Sequence, residues 1–79
     1  MITPRPRAFH KWMNDHNIDI RDFDTVRIDG NGLNLSGRYS AELAITIQEA
    51  LGMHSVAEEN TEAVSLFWKR GLIYIELFL

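Results

Sequence analysis

The sequence predicts a small α+β domain of two layers: a four-stranded antiparallel sheet with both helices on one face. Three observations predict it. Two segments carry apolar residues at three- and four-residue spacing, and two others alternate apolar and polar residues about a glycine-containing dipeptide. The order in which they follow, helix, hairpin, helix, hairpin, suits a layer of helices on a layer of strands. The order suggests a coarse duplication, but no residue-level repeat supports it.

The first element is expected to be a helix over 5–16. Thr3 can cap it, and Pro4 or Pro6 fits its first turn, where a missing N–H costs nothing. Phe9, Trp12, Met13 and His16 recur on one face, and Asn17 tolerates the left-handed conformation that ends a helix. In the next segment Val26 and Ile28 alternate with Arg27 and Asp29, and Leu33 and Leu35 with Asn34 and Ser36. Asn31-Gly32 is the pair best able to supply two positive φ angles, which predicts a turn there with Ile28 opposite Leu35. Val26, Ile28, Leu33 and Leu35 then share one face.

A second helix is expected over 40–51. Ser40 is its N-cap, Glu42 favours the positive end of its dipole, Leu43, Ile47 and Leu51 form a four-residue ladder, and Gly52 stops it. Ile45 lies off that stripe. Residues 53–61 read as a connecting loop. In the last segment Val64, Leu66 and Trp68 alternate, Arg70-Gly71 makes a turn, and Ile73, Ile75, Leu77 and Leu79 alternate again. A two-residue loop there sets Trp68 opposite Ile73, Leu66 opposite Ile75 and Val64 opposite Leu77, with these six apolar residues on one face.

The chain has 79 residues, 46% of them hydrophobic, which is one domain (1–79) with one small core. It contains no cysteine, so a disulfide scaffold, a Cys-ligated zinc site and a Cys nucleophile are excluded. Lys and Arg number 8 against 11 Asp and Glu, for a net charge of −3, and the basic excess of a phosphate-gripping domain is absent. The charges are unevenly placed. Arg5, Arg7 and Lys11 make a basic start; Asp15, Asp19, Asp22, Asp24 and Asp29 follow as an acidic stretch; Glu58, Glu59 and Glu62 form a second acidic cluster. The first eleven residues lack the apolar core of a signal peptide, and the apolar C-terminal segment is broken at Lys69, Arg70 and Gly71. A cytoplasmic protein with no membrane segment is the expectation.

No pattern of catalytic or metal-ligating residues emerges. His10 and His16 lie six residues apart, which turns roughly 240° about a helix axis, so they cannot share a site. Calcium-loop spacing fails from either Asp22 or Asp29, since Val26 or Leu33 falls where an oxygen ligand is needed. Gly30-Asn31-Gly32 joins two strands instead of opening a helix, and no serine has a visible His–Asp partner set. The expectation is a chain without enzyme activity, metal or cofactor.

One surface stands out. The predicted register of the C-terminal hairpin sends Phe67 and Tyr74, then Ala63 and Phe78, to the face opposite the core, with Ser65 facing Glu76 and Lys69 facing Leu72. A solvated sheet face should be polar, and a surplus of aromatic rings there usually marks a contact surface. Phe67, Tyr74 and Phe78, rimmed by Lys69, Arg70 and Glu76, are therefore the expected partner-binding residues. Asp22, Asp24, Glu58 and Glu59 are the acidic residues expected to contribute, by fitting a basic groove. The function that follows is a small acidic protein–protein interaction module. It is expected to be an inhibitor or regulator of a larger, nucleic-acid-handling protein, in the manner of small phage or plasmid proteins. The alternatives are a homodimeric structural subunit and a nucleic-acid binder that stacks bases on the sheet aromatics, direct nucleic-acid binding being disfavoured by Glu76 on the same face.

Overall fold

The structure, a computed structural model, describes residues 6–30, 32–59 and 64–79. The elements run α1 (Pro6–Asp15), a single 3-10 turn (Ile20–Asp22), β1 (Thr25–Asp29), β2 (Gly32–Arg38), α2 (Ala41–Leu51), β3 (Val56–Glu59), β4 (Val64–Arg70) and β5 (Ile73–Phe78). The strands form one mixed sheet in the order β1-β2-β5-β4-β3.

Both helices form where their spacing places them. Met13 and Phe9 of α1 are buried, and Asn17 takes φ 60° just past its end. Thr3 and Pro4 lie outside the described residues. In α2 the Ser40 hydroxyl accepts from the Leu43 amide at 3.1 Å, and Gly52 closes the helix at φ 67°. Leu43, Ala44, Ile47 and Leu51 are its buried stripe, while Ile45 points to solvent.

The sheet departs from the expected four antiparallel strands in two respects. Residues 56–59 are not loop: they pair antiparallel with β4, Val56 beside Phe67 and Glu58 beside Ser65, and add a fifth strand at the edge. Three strands therefore follow α2, and the expected helix–hairpin repeat does not hold. The two hairpins join through a parallel pair, β2 beside β5, with Leu33 level with Ile73 and Leu35 with Ile75. The reason is burial. β2 and β5 carry Leu33, Leu35, Ile75 and Leu77, each at most 1% exposed, so they take the centre, flanked on both sides. The short β3, Val-Ala-Glu-Glu, and β1, with Arg27 and Asp29, carry the charges that suit an edge.

Both turns sit one residue from where local chemistry places them. The first pairs Ile28 with Leu33 and Asp29 with Gly32, leaving 30–31 as the loop, of which Asn31 lies outside the described residues. The second pairs Trp68 with Ile75 and Arg70 with Ile73, leaving Gly71-Leu72 as the loop. Gly71 at φ 59° in the first loop position meets the requirement of a type II′ turn. Tertiary contact decides both. Gly32, at φ 127°, lies so close to the backbone of Leu72 that a Cβ there would overlap its carbonyl oxygen, and the Leu33 amide donates to that oxygen at 2.8 Å. Arg70 stays in strand because its guanidinium donates to the Leu51 carbonyl at the end of α2. Moving a turn by one residue changes each partner by two, so every side chain keeps its face.

The core lies between that face and the helices. Phe9, Met13, Leu43, Ile47, Trp68, Ile75 and Leu77 form one cluster, with Leu66 and Ile73 half-buried against it. Ile18 and Phe23, from the connection between α1 and β1, complete it. That connection crosses Gly37, whose missing side chain leaves room for the Asp22 carbonyl and Phe23 Cα, each 3.0 Å from where a Cβ would stand.

Candidate functional site

The helices and the α1–β1 connection contribute their buried residues to one face of the sheet, which leaves the other face to the strands' remaining side chains. Strand register orders these into three rows, with Asp29 beside Gly32 lying beyond the first. The first reads Arg27, Asn34, Tyr74, Lys69; the second Thr25, Ser36, Glu76, Phe67, Val56; the third Arg38, Phe78, Ser65, Glu58. Alternation alone produces this, because every second residue of each strand is spent on the core.

Phe67 and Tyr74 meet as expected, though diagonally and not as direct partners. Their rings are nearly parallel, at 21°, with centroids 6.0 Å apart. Lys69 is the residue opposite Tyr74, Glu76 stands opposite Phe67, and Phe78 opposite Ser65. Ala63 lies outside the described residues. The Ser65 hydroxyl donates to the Glu76 carboxylate at 2.9 Å, so this acid is held against the sheet. Burial holds the Tyr74 phenol above its ordinary value, and the Glu76 and Glu58 carboxylates add to the shift. Tyr74 is therefore a neutral hydrogen-bond donor at neutral pH. Phe78 is 44% exposed and Val56 53%.

A shallow cleft of about 240 Å³ opens at the first row, lined by Arg27, Asn34, Lys69, Leu72 and Tyr74 among others. Arg27 is held there by Asp29 at 3.1 Å, whereas among the described residues no carboxylate pairs with Lys69.

The remaining expected site residues scatter. Arg70 belongs to the opposite face and is taken up by α2, so it does not rim the aromatic surface. Glu58 borders the aromatic face from β3, and Glu59 points to the other side. Asp22 and Asp24 are exposed in the connection that packs on the helix side, where the Asp24 amide donates to Ser36. The acidic stretch around them is no bare anionic patch. Asp15 pairs with Lys11 at 2.8 Å, and Asp19 holds Arg21 through three side-chain contacts and its backbone amide, which lowers the Asp19 carboxyl from its ordinary value. Val56, which extends the aromatic face, is missed by reading 53–61 as loop; the signal for a strand there, one apolar residue followed by Ala and two acids, is weak.

Among the described residues no three His, Asp or Glu side chains come together to hold a metal ion, and no helix is long and apolar enough to cross a membrane. No family model, curated protein or solved structure matches this chain. The arrangement offers stacked rings, flanking charges and hydrogen-bond donors on an open sheet, which is chemistry for binding a surface.

Proposed function

We propose that this chain is a non-catalytic protein-binding module whose docking surface is the aromatic face of the sheet. The observation that supports it most is the Phe67–Tyr74 stack on a face to which neither helix contributes its buried residues. Aromatic anchors at the centre of a patch, surrounded by partly exposed apolar and charged residues, are the usual composition of a protein interface. Phe78 and Val56 widen the patch, and Lys69 and Glu58 mark its charged rim. A polyanion is a poorer fit. Only the first row is free of carboxylates, and a strand laid across the rings would cross Glu76 and Glu58. Inhibition or regulation of a larger protein is one use of such a module and is part of this proposal.

Site-specific photocrosslinking tests it. A benzophenone side chain at position 78 should form an adduct with a protein partner in host extract, and one at the exposed position 45 on α2 should not. Phe67→Ser or Tyr74→Ser should abolish the adduct, and the captured protein, once purified, should bind the wild-type chain. Equal adducts at both positions, or adducts insensitive to Phe67 and Tyr74, would contradict the assignment.

A further inference from the structure

Tyr74 and Glu76 of β5 lean the same way across the open face. Tyr74 stands opposite Lys69, yet its ring stacks on Phe67, one row over. Glu76 stands opposite Phe67, yet its carboxylate accepts from Ser65, one row further. The space above the first row is thereby left uncovered, and the cleft of about 240 Å³ opens there. Arg27, Lys69 and Asp29 are the charged residues that line it. Asp29 pairs with Arg27 at 3.1 Å, which leaves Lys69 as the excess positive charge, with no carboxylate partner among the described residues. The other charges of the face stand back from it. Glu76 is drawn toward the third row by Ser65. Arg38 and Glu58 stand in that row, at its β2 and β3 ends, about 13 Å from the first row along the strands.

We infer that the protein partner of this face sets a carboxylate side chain into the cleft, against the Lys69 ammonium and the Asn34 amide, beside an apolar group laid on the Phe67–Tyr74 rings. This rests on the reading of the face as a docking surface and names the chemistry of the segment that docks: an acidic side chain next to an apolar one. Charge sets the class. With Arg27 and Asp29 offsetting one another, a single positive charge is left, which a carboxylate balances and a cationic side chain does not. A phosphate group brings further negative charge that would face the Asp29 carboxylate. Position sets the source. Tyr74 both lines the cleft and stacks on Phe67, so one short segment can reach both. Arg27, Asn34 and Lys69 are exposed, and an ion pair with a free acid there would stay in water and contribute little. A protein laid over the rings excludes that water, and the same pair then contributes more.

Backbone-amide NMR titration of the full chain tests the inference with three probes: a capped dipeptide of tryptophan and glutamate, its glutamine counterpart, and inorganic phosphate. The glutamate dipeptide should shift the amides of residues 32–34 and 69–74 in a saturable way, and should bind about threefold or more tightly than the glutamine one. Lys69→Met should remove that preference while both dipeptides still bind through the rings. Lys69 is exposed, so the variant's melting temperature should stay near wild type and serve as the folding control. Equal binding of the two dipeptides to the wild-type chain would overturn the inference. So would a preference that survives Lys69→Met, no shift with either dipeptide, or phosphate that shifts the same amides at least as strongly, which would assign the cleft to free anions. If the two dipeptides bind equally while position 78 still crosslinks a protein in a Phe67-dependent way, the carboxylate is rejected and the docking surface stands. If neither dipeptide shifts an amide of the face and position 78 captures nothing, the docking reading fails with it.

Discussion

The guanidinium of Arg70 donates to the carbonyl oxygen of Leu51. One residue before the second turn, a strand is thereby tied to the last turn of α2, where carbonyls lack partners and the dipole favours a cation. The neighbouring Lys69 points to the other side of the sheet. Two adjacent basic residues thus have separable roles. Arg70→Ala should lower stability by about 1 kcal/mol in urea unfolding and leave association unchanged. Lys69→Ala should do the reverse. Equal effects of the two on both measurements would show that this division is wrong.

Gly32 offers a sharper test of the parallel β2–β5 junction. Its φ of 127° and the closeness of the Leu72 backbone both forbid a side chain. Gly32→Val should cost on the order of 2 kcal/mol or more, read as a drop in thermal midpoint. Gly71, by contrast, has nothing within 4 Å of where a Cβ would stand, so only its φ of 59° matters. Gly71→Asn should therefore be much milder than Gly32→Val.

Ile47 is fully buried at the middle of the α2 ladder. Ile47→Ala should destabilise by about 2–5 kcal/mol, and Ser40→Ala, which removes the N-cap, by about 1 kcal/mol. Because the two lie on one helix, additivity of the pair in unfolding experiments checks that the cap and the packing act independently.

The direction of the Tyr74 shift fixes a pH dependence. Its phenol is held above the ordinary value of 10.0 in the folded chain, first by burial and then by Glu76 and Glu58. A raised folded value means that the neutral form is favoured by folding. That stabilisation is complete below the ordinary value and is lost as the pH rises through the raised one. Tyr74→Phe should remove this part of the alkaline loss of stability and leave the neutral range unaffected, as followed by melting between about pH 8 and 12.

Much of this fold is legible in the sequence where a local rule acts alone. Ser40, Gly52 and Asn17 bound the helices as their capping chemistry requires, and alternation assigns the core and open faces of β2, β4 and β5 correctly. The rest depends on partners distant in the chain. The contact of Gly32 with Leu72 and that of Arg70 with Leu51 move the turns, and neither can be read from a dipeptide. The strand at 56–59 has little apolar alternation of its own and exists by pairing with β4. In the candidate site the identities of Phe67, Tyr74 and Phe78 are legible from parity, whereas the diagonal stack and the exclusion of Arg70 follow from the shifted register.

The central claim is that the Phe67–Tyr74 face binds and does not hold the fold together. The most direct measurement compares the Phe67→Ser/Tyr74→Ser double variant with wild type in two respects, thermal midpoint and affinity for the protein captured from position 78. The account predicts a cooperative melt close to wild type, since Trp68 and Ile75 hold the core from the other side, together with a loss of association of about 2 kcal/mol per ring. A variant that fails to fold, or that folds and associates as wild type does, would contradict it.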